Sequence, residues 1–195
     1  MKTLIVYAHP NPQSFNHAIL ETTRQALTAQ GAEVKVVDLY ADGFNPVLSA
    51  ADFTSLQQGT TPADIAAQQA LVSWAEAMVF IYPLWWYDRP AMLKGWIDRV
   101  FMHGFAFRYG PQGAQGLLTT RRALVLVTAG GPDTAFAQLG QHKAVEHAMV
   151  DGTLKFCGIS DVRSHLFYQV PSTTPEARTT MLAEVSALAT ALVQA

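Results

Sequence analysis

The sequence predicts an α/β fold, a three-layer sandwich in which helices cover both faces of one five-stranded parallel sheet. Three observations predict it. Short apolar runs alternate with longer segments of helical period from end to end, the pattern of strand–helix–strand units joined by right-handed crossovers. The run at 77–82, stopped by Pro83, is apolar throughout, as a strand covered on both faces must be. The 195 residues, half of them apolar, suffice for a single domain over 1–195 with a substantial core.

Each element follows in order. Residues 4–8 form a first strand, and a helix at 15–29 places Phe15, Ala18, Ile19, Thr22 and Ala26 on one face before Gly31 closes it. Residues 34–39 are the second strand. Gly, Asn, Pro and Ser crowd 42–61, which reads as a loop. Thr61 and Pro62 supply a cap and first position for a helix that carries Ile65, Val72 and Trp74 into the third strand at 77–82. Pro90 starts another helix, with Leu93, Trp96, Ile97, Val100 and Phe101 as its apolar stripe. The fourth strand, 123–128, is entered from Arg121 and Arg122 and ended by Gly130, Gly131 and Pro132. A segment to about Phe156 holds a helix, and 162–168 is the fifth strand. Thr174, Pro175 and Glu176 open the last helix, striped by Met181, Leu182, Val185, Leu188, Ala189 and Leu192. No Gly-x-Gly-x-x-Gly follows the first strand, so the flavodoxin-like order 2-1-3-4-5 is favoured over a Rossmann half.

Composition excludes several partners. Thirteen Lys and Arg against 15 Asp and Glu create no field that attracts nucleic acid. The single cysteine, Cys157, rules out an internal disulfide framework, and no Cys/His spacing suggests a zinc site. The N-terminal apolar stretch is too short for a signal peptide and no run reaches the length of a membrane span, so a cytoplasmic setting is expected.

The order 2-1-3-4-5 makes strands 1, 3 and 4 neighbours, so the segments after Ala8, Tyr82 and Thr128 share the edge where ligands bind in such sheets. The first runs from His9 to Asn16 and ends at a helix start, where free NH groups and the donors of His9, Ser14 and Asn16 suit a phosphate; a plain cap by Ser14 is the alternative. The second, Pro83, Leu84, Trp85, Trp86 and Tyr87, offers a platform for a flat ring or else a seal over the core. The third, Thr128, Ala129, Gly130 and Gly131, brings bare backbone to a ring edge or is simply a turn. An anionic tail, a planar body and a hydrogen-bonding edge together outline a flavin nucleotide.

These residues resemble a known family. Tyr7-Ala8-His9-Pro10 with Ser14-Phe15-Asn16, the segment from Asp64 to Gln69, Pro83-Leu84 with Trp86-Tyr87, and the run from Pro90 to Phe101 are similar to the flavodoxin-fold NAD(P)H:quinone oxidoreductases. Gly104-Phe105-Ala106, Thr128 with Gly130-Gly131, Gly140 with His142, and Phe156-Cys157-Gly158 continue the match. That family also includes the ancillary oxidoreductase subunits of glutathione-gated potassium-efflux systems.

The resemblance implies a homodimer with FMN or FAD at the subunit interface and ping-pong transfer of two electrons from NADH or NADPH to a quinone. His9, Ser14, Phe15 and Asn16 would hold the phosphate end. Pro83 and Leu84 to Tyr87 would line the ring, Thr128 to Gly131 would meet its polar edge, and Phe136 would be a further cofactor-binding position. Trp86 and His142 match residues with catalytic roles, and Phe107 and Tyr109 match positions that reach the partner's substrate pocket. Three positions depart from the pattern. Trp85 replaces a glutamine, and Phe136 and Phe107 replace tyrosines, so a tyrosine–histidine proton relay cannot be carried over whole. The alternatives are an ancillary subunit that binds a membrane transporter, and azo or nitro reduction by the same flavin chemistry.

Overall fold

Successive side chains of a strand point to opposite faces, and here that alternation builds two separate cores. The computed structural model describes residues 1–194, with only the backbone of His142. The chain opens with β1 (Lys2–Tyr7), α1 (Phe15–Ala29) and β2 (Glu33–Asp38), and continues with α2 (Ala50–Gln57), α3 (Ala63–Trp74), β3 (Ala77–Pro83) and α4 (Ala91–Val100). A hairpin of β4 (Phe107–Gly110) and β5 (Gly113–Gly116) precedes β6 (Arg122–Thr128). Then come α5 (Asp133–Gln138), α6 (His142–Val145), a π-helix (Glu146–Lys155), β7 (Asp161–Phe167) and α7 (Pro175–Gln194).

The main sheet is parallel in the order β2-β1-β3-β6-β7, which is the predicted 2-1-3-4-5 once the two hairpin strands are set aside. Leu4, Val6, Met78, Phe80, Tyr82, Val125 and Val127 face the core under Ile65, Leu93, Trp96 and Val100 of α3 and α4. Ile5, Tyr7, Val79, Ile81, Leu124 and Leu126 face the other, under Ile19 and Leu27 of α1 and Val185, Ala189 and Leu192 of α7. Every residue of β3 is buried, as its unbroken apolar sequence requires. Trp96 donates to Gln68 at 3.0 Å and Gln69 to the Val100 carbonyl at 3.0 Å, which locks α3 to α4.

Two expectations are corrected and one element is new. The segment 42–61 is not all loop, because Asp52 accepts from both the NH and the hydroxyl of Ser49 at 2.8 Å and so caps α2. The buried face of α1 is Asn16, Ile19, Leu20, Thr23, Ala26 and Leu27, one step round from the predicted stripe, since Asn16 and Thr23 are polar residues turned inward. The hairpin at 107–116 was not foreseen. It docks where Gly116 meets Cys157 and Gly158, so closely that a Cβ there would stand 2.3 Å from their backbone. Among the described residues, no helix is long and apolar enough to cross a membrane.

Candidate functional site

Two hydrogen bonds at Thr128 fasten three loops together at the carboxyl edge of the sheet. The Thr128 hydroxyl accepts from Asn16 Nδ2 at 2.8 Å, and its carbonyl accepts from the Leu84 NH at 2.7 Å. Asn16 stands in the first turn of α1, Leu84 one residue beyond β3, and Thr128 at the end of β6. The loops after β1, β3 and β6 therefore converge, as the strand order predicted.

In the first loop Ser14 caps α1, its Oγ accepting from the His17 NH at 3.2 Å. The NH groups of Phe15 and Asn16 lie in the first helical turn and have no intrahelical partner, which leaves a positive dipole end open to an anion. His9 Nδ1 accepts from the Asn11 NH at 3.0 Å, so the neutral ring carries its proton on Nε2. Burial holds the His9 pKa below its ordinary value. The Tyr7 hydroxyl lies 3.4 Å from Ser14 Oγ, and burial pushes that phenol up, which keeps it protonated.

The second loop is a tight turn. Trp85 and Asp88 exchange both NH···O bonds, at 2.9 and 3.0 Å, around Trp86 and Tyr87, whose φ angles are 53° and 61°. That is the geometry of a two-residue I′ turn, where Asn-Gly is the usual pair. Two aromatic residues in the left-handed region store backbone strain. Trp86 is 97 % exposed, so it does not seal the core. Trp85 is partly open and packs 6.0 Å from His9, while Pro83 is buried and Leu84 packs on the core below.

The third loop presents bare backbone. A Cβ on Gly130 would meet nothing within 4 Å, and one on Gly131 would stand 3.2 Å from the Phe136 ring. Ala129 is buried and its NH donates to the Phe167 carbonyl. Phe136 lies between Tyr87, at 5.4 Å, and Tyr168, at 5.3 Å. Tyr168 escaped the sequence reading, although it follows β7 on the same edge. Its ring packs on Phe136, and burial, then Asp133 and Glu146, raise the pKa of its phenol.

Other candidates sit elsewhere. Phe107 and Tyr109 lie on the hairpin, 5.6 Å apart, and join Phe156 at 5.3 Å from Phe107 and His103 at 6.0 Å from Tyr109. Among the described residues no ring of that cluster packs on Trp85, Trp86 or Tyr87. The His142 side chain lies outside the described residues; its backbone opens α6.

The edge fits a flavin nucleotide on two observations. The Gly130 backbone faces open space, and the buried Asn16 Oδ1 has no hydrogen-bond partner. The first admits a planar group close to the main chain, and the second is an acceptor still to be satisfied.

Comparison with known proteins agrees. The flavodoxin-like fold family matches residues 1–189. An uncharacterised NAD(P)H oxidoreductase of Haemophilus influenzae is 34 % identical over 93 % of this chain and 91 % of its own. NAD(P)H dehydrogenase [quinone] 1 of Cavia porcellus is 33 % identical, over 93 % of this chain and 74 % of the relative. The solved NAD(P)H:quinone oxidoreductase of Methanothermobacter marburgensis superposes with a TM-score of 0.91 at 29 % identity, covering 100 % of this chain and 98 % of that one. With its strand order and these matches, the chain belongs to the flavodoxin-like fold family, among the NAD(P)H:quinone oxidoreductases.

Proposed function

We propose that this chain is a flavin-dependent NAD(P)H:quinone oxidoreductase working in two alternating half-reactions. The convergence of Asn16, Leu84 and Thr128 carries the reading, because it joins an anion-binding helix start, an aromatic wall and an open glycine backbone in one edge. A bound FMN or FAD would supply the hydride chemistry, between NADH or NADPH as donor and a quinone as acceptor. Overall, NAD(P)H, a proton and a quinone become NAD(P)⁺ and a hydroquinone.

The chain's own residues bind and orient. His9 Nε2, Ser14 and the NH groups of Phe15 and Asn16 hold the phosphate end. Pro83, Leu84, Trp85, Trp86 and Tyr87 wall the ring, while Ala129, Gly130 and Gly131 offer backbone groups to its polar edge above Phe136. Trp86 shapes the acceptor slot and His142 balances charge as the hydride moves. The exposed rings of Tyr109, Phe53 and Phe156 support a homodimer, in which Phe107 and Tyr109 of each copy close the other's substrate pocket.

Purified protein should be yellow. Denaturation and chromatography should release FMN or FAD, and NADH or NADPH should reduce menadione in its presence. Colourless protein that takes up neither flavin would sink the reading, and a monomer in light scattering would remove the cross-subunit pocket.

A further inference from the structure

Arg89 is a cation with little to balance it. Its side chain is only 7 % exposed, yet the closest carboxylate is Asp88 Oδ1, 3.9 Å from Nε and largely solvated. Nη1 donates to the Ala148 carbonyl at 3.2 Å and lies 3.6 Å from Met149 Sδ, and the buried Nε has no partner. A buried guanidinium so poorly compensated is unfavourable for stability alone.

Both of its ends are unusual. Ala148 lies in the π-helix, a geometry rare outside short functional bulges, and its carbonyl also accepts from the Thr153 hydroxyl at 2.7 Å. On the other side Arg89 stands two residues after Tyr87, where the strained turn runs into the Pro90 cap of α4. Neither turn residue is glycine, so something beyond local preference must hold both at positive φ.

We propose that Arg89 is a positioning residue, whose guanidinium ties the base of the Trp86–Tyr87 turn to the Ala148 carbonyl of the π-helix and so fixes the wall of the ring site. Its bearing on flavin rests on the function proposed above. The tie to the turn does not.

Two measurements on the purified full chain separate these. Without flavin, melting temperatures of the wild type, Trp86→Gly, Arg89→Met and the double variant test the tie. Trp86 is almost wholly exposed, so glycine there removes strain and little packing. In the Arg89 background Trp86→Gly should raise the melting temperature by about 2–4 °C. In the Arg89→Met background, where the turn relaxes, that gain should fall at least by half; equal gains in both backgrounds overturn the proposal.

With FMN, Arg89→Met should weaken binding about tenfold and diminish the visible circular dichroism of the bound flavin. Arg89→Lys, which keeps one donor for Ala148, should restore that signal in part. Thr153→Val, which leaves Arg89 in place, should stay within about twofold of the wild-type dissociation constant. An Arg89→Met protein with wild-type affinity and dichroism overturns the link to the ring site. If the wild type itself takes up no flavin, the proposed function fails and the melting cycle still judges the tie. Should Arg89→Met not fold, Arg89→Lys replaces it in the cycle, with a smaller loss of the Trp86→Gly gain expected and equal gains again overturning the tie.

Discussion

Arg89, just before α4, and Arg99, in the last turn of that helix, have side chains buried to the same degree, but Arg99 is matched in charge and Arg89 is not. Arg99 binds Asp52 through Nε at 3.3 Å and Nη2 at 2.9 Å, and gives Nη1 to Asp64 at 2.8 Å and to the Asn45 carbonyl at 2.9 Å. Asp52 in turn caps α2. One guanidinium thus holds the segment before α2, α2 itself and the start of α3 onto α4. Arg89 meets a carbonyl and a sulfur. Matched charge fastens the fold at the far end of the helix, while unmatched charge stands beside the proposed ring wall.

The comparison breaks most sharply by deletion. Arg99→Met leaves the Asp52 carboxylate buried without its cation and should cost about 3–5 kcal/mol in chemical denaturation, whereas Arg89→Met strands no carboxylate and should stay within about 1 kcal/mol. Gly95→Ala tests the same junction sterically. A Cβ on Gly95 would stand 2.0 Å from the Pro46 carbonyl oxygen, so α4 and the 42–49 segment must part, at about 1–3 kcal/mol.

Acid should separate the two arginines as well. Burial raises the Asp52 pKa, but the hydrogen bonds from Arg99 and Ser49 outweigh it and hold the carboxyl below its ordinary value. A carboxylate with a depressed folded pKa contributes stability that is present above its unfolded pKa, about 4, and lost as pH falls through the folded one. Melting temperature should therefore drop below about pH 4 in the wild type and in Arg89→Met, and less steeply in Asp52→Asn. The smallest effect is expected at Cys157, beside the hairpin. Burial pushes its thiol up to about 11, so a disulfide reagent at neutral pH should label it only when the chain unfolds.

Much of this architecture was legible in the sequence. The central strands were found to within one or two residues because they are apolar on both faces and bounded by Pro83 and by Gly130-Gly131. The convergence of the loops after β1, β3 and β6 was legible through strand order. Segment 42–61 was misread because its Gly, Asn, Pro and Ser outweighed the Ser49–Asp52 cap spacing, which was also present in the sequence. The inward turn of α1 was hidden because Asn16, a polar residue, is buried by a partner 112 residues away. Arg89 and Tyr168 were missed for a related reason: each owes its place to packing between distant elements, Ala148 for one and Phe136 for the other. No sequence periodicity reports a π-helix, or a turn that holds two aromatic residues at positive φ.

The exposure of Trp86 has a further consequence for how such a protein can change. Because that indole makes almost no contact with the fold, substitutions at position 86 are released from the demands of core packing and answer chiefly to the backbone twist of the turn. On the proposed function, the shape of the acceptor slot could then drift one residue at a time, while the sheet beneath keeps its register.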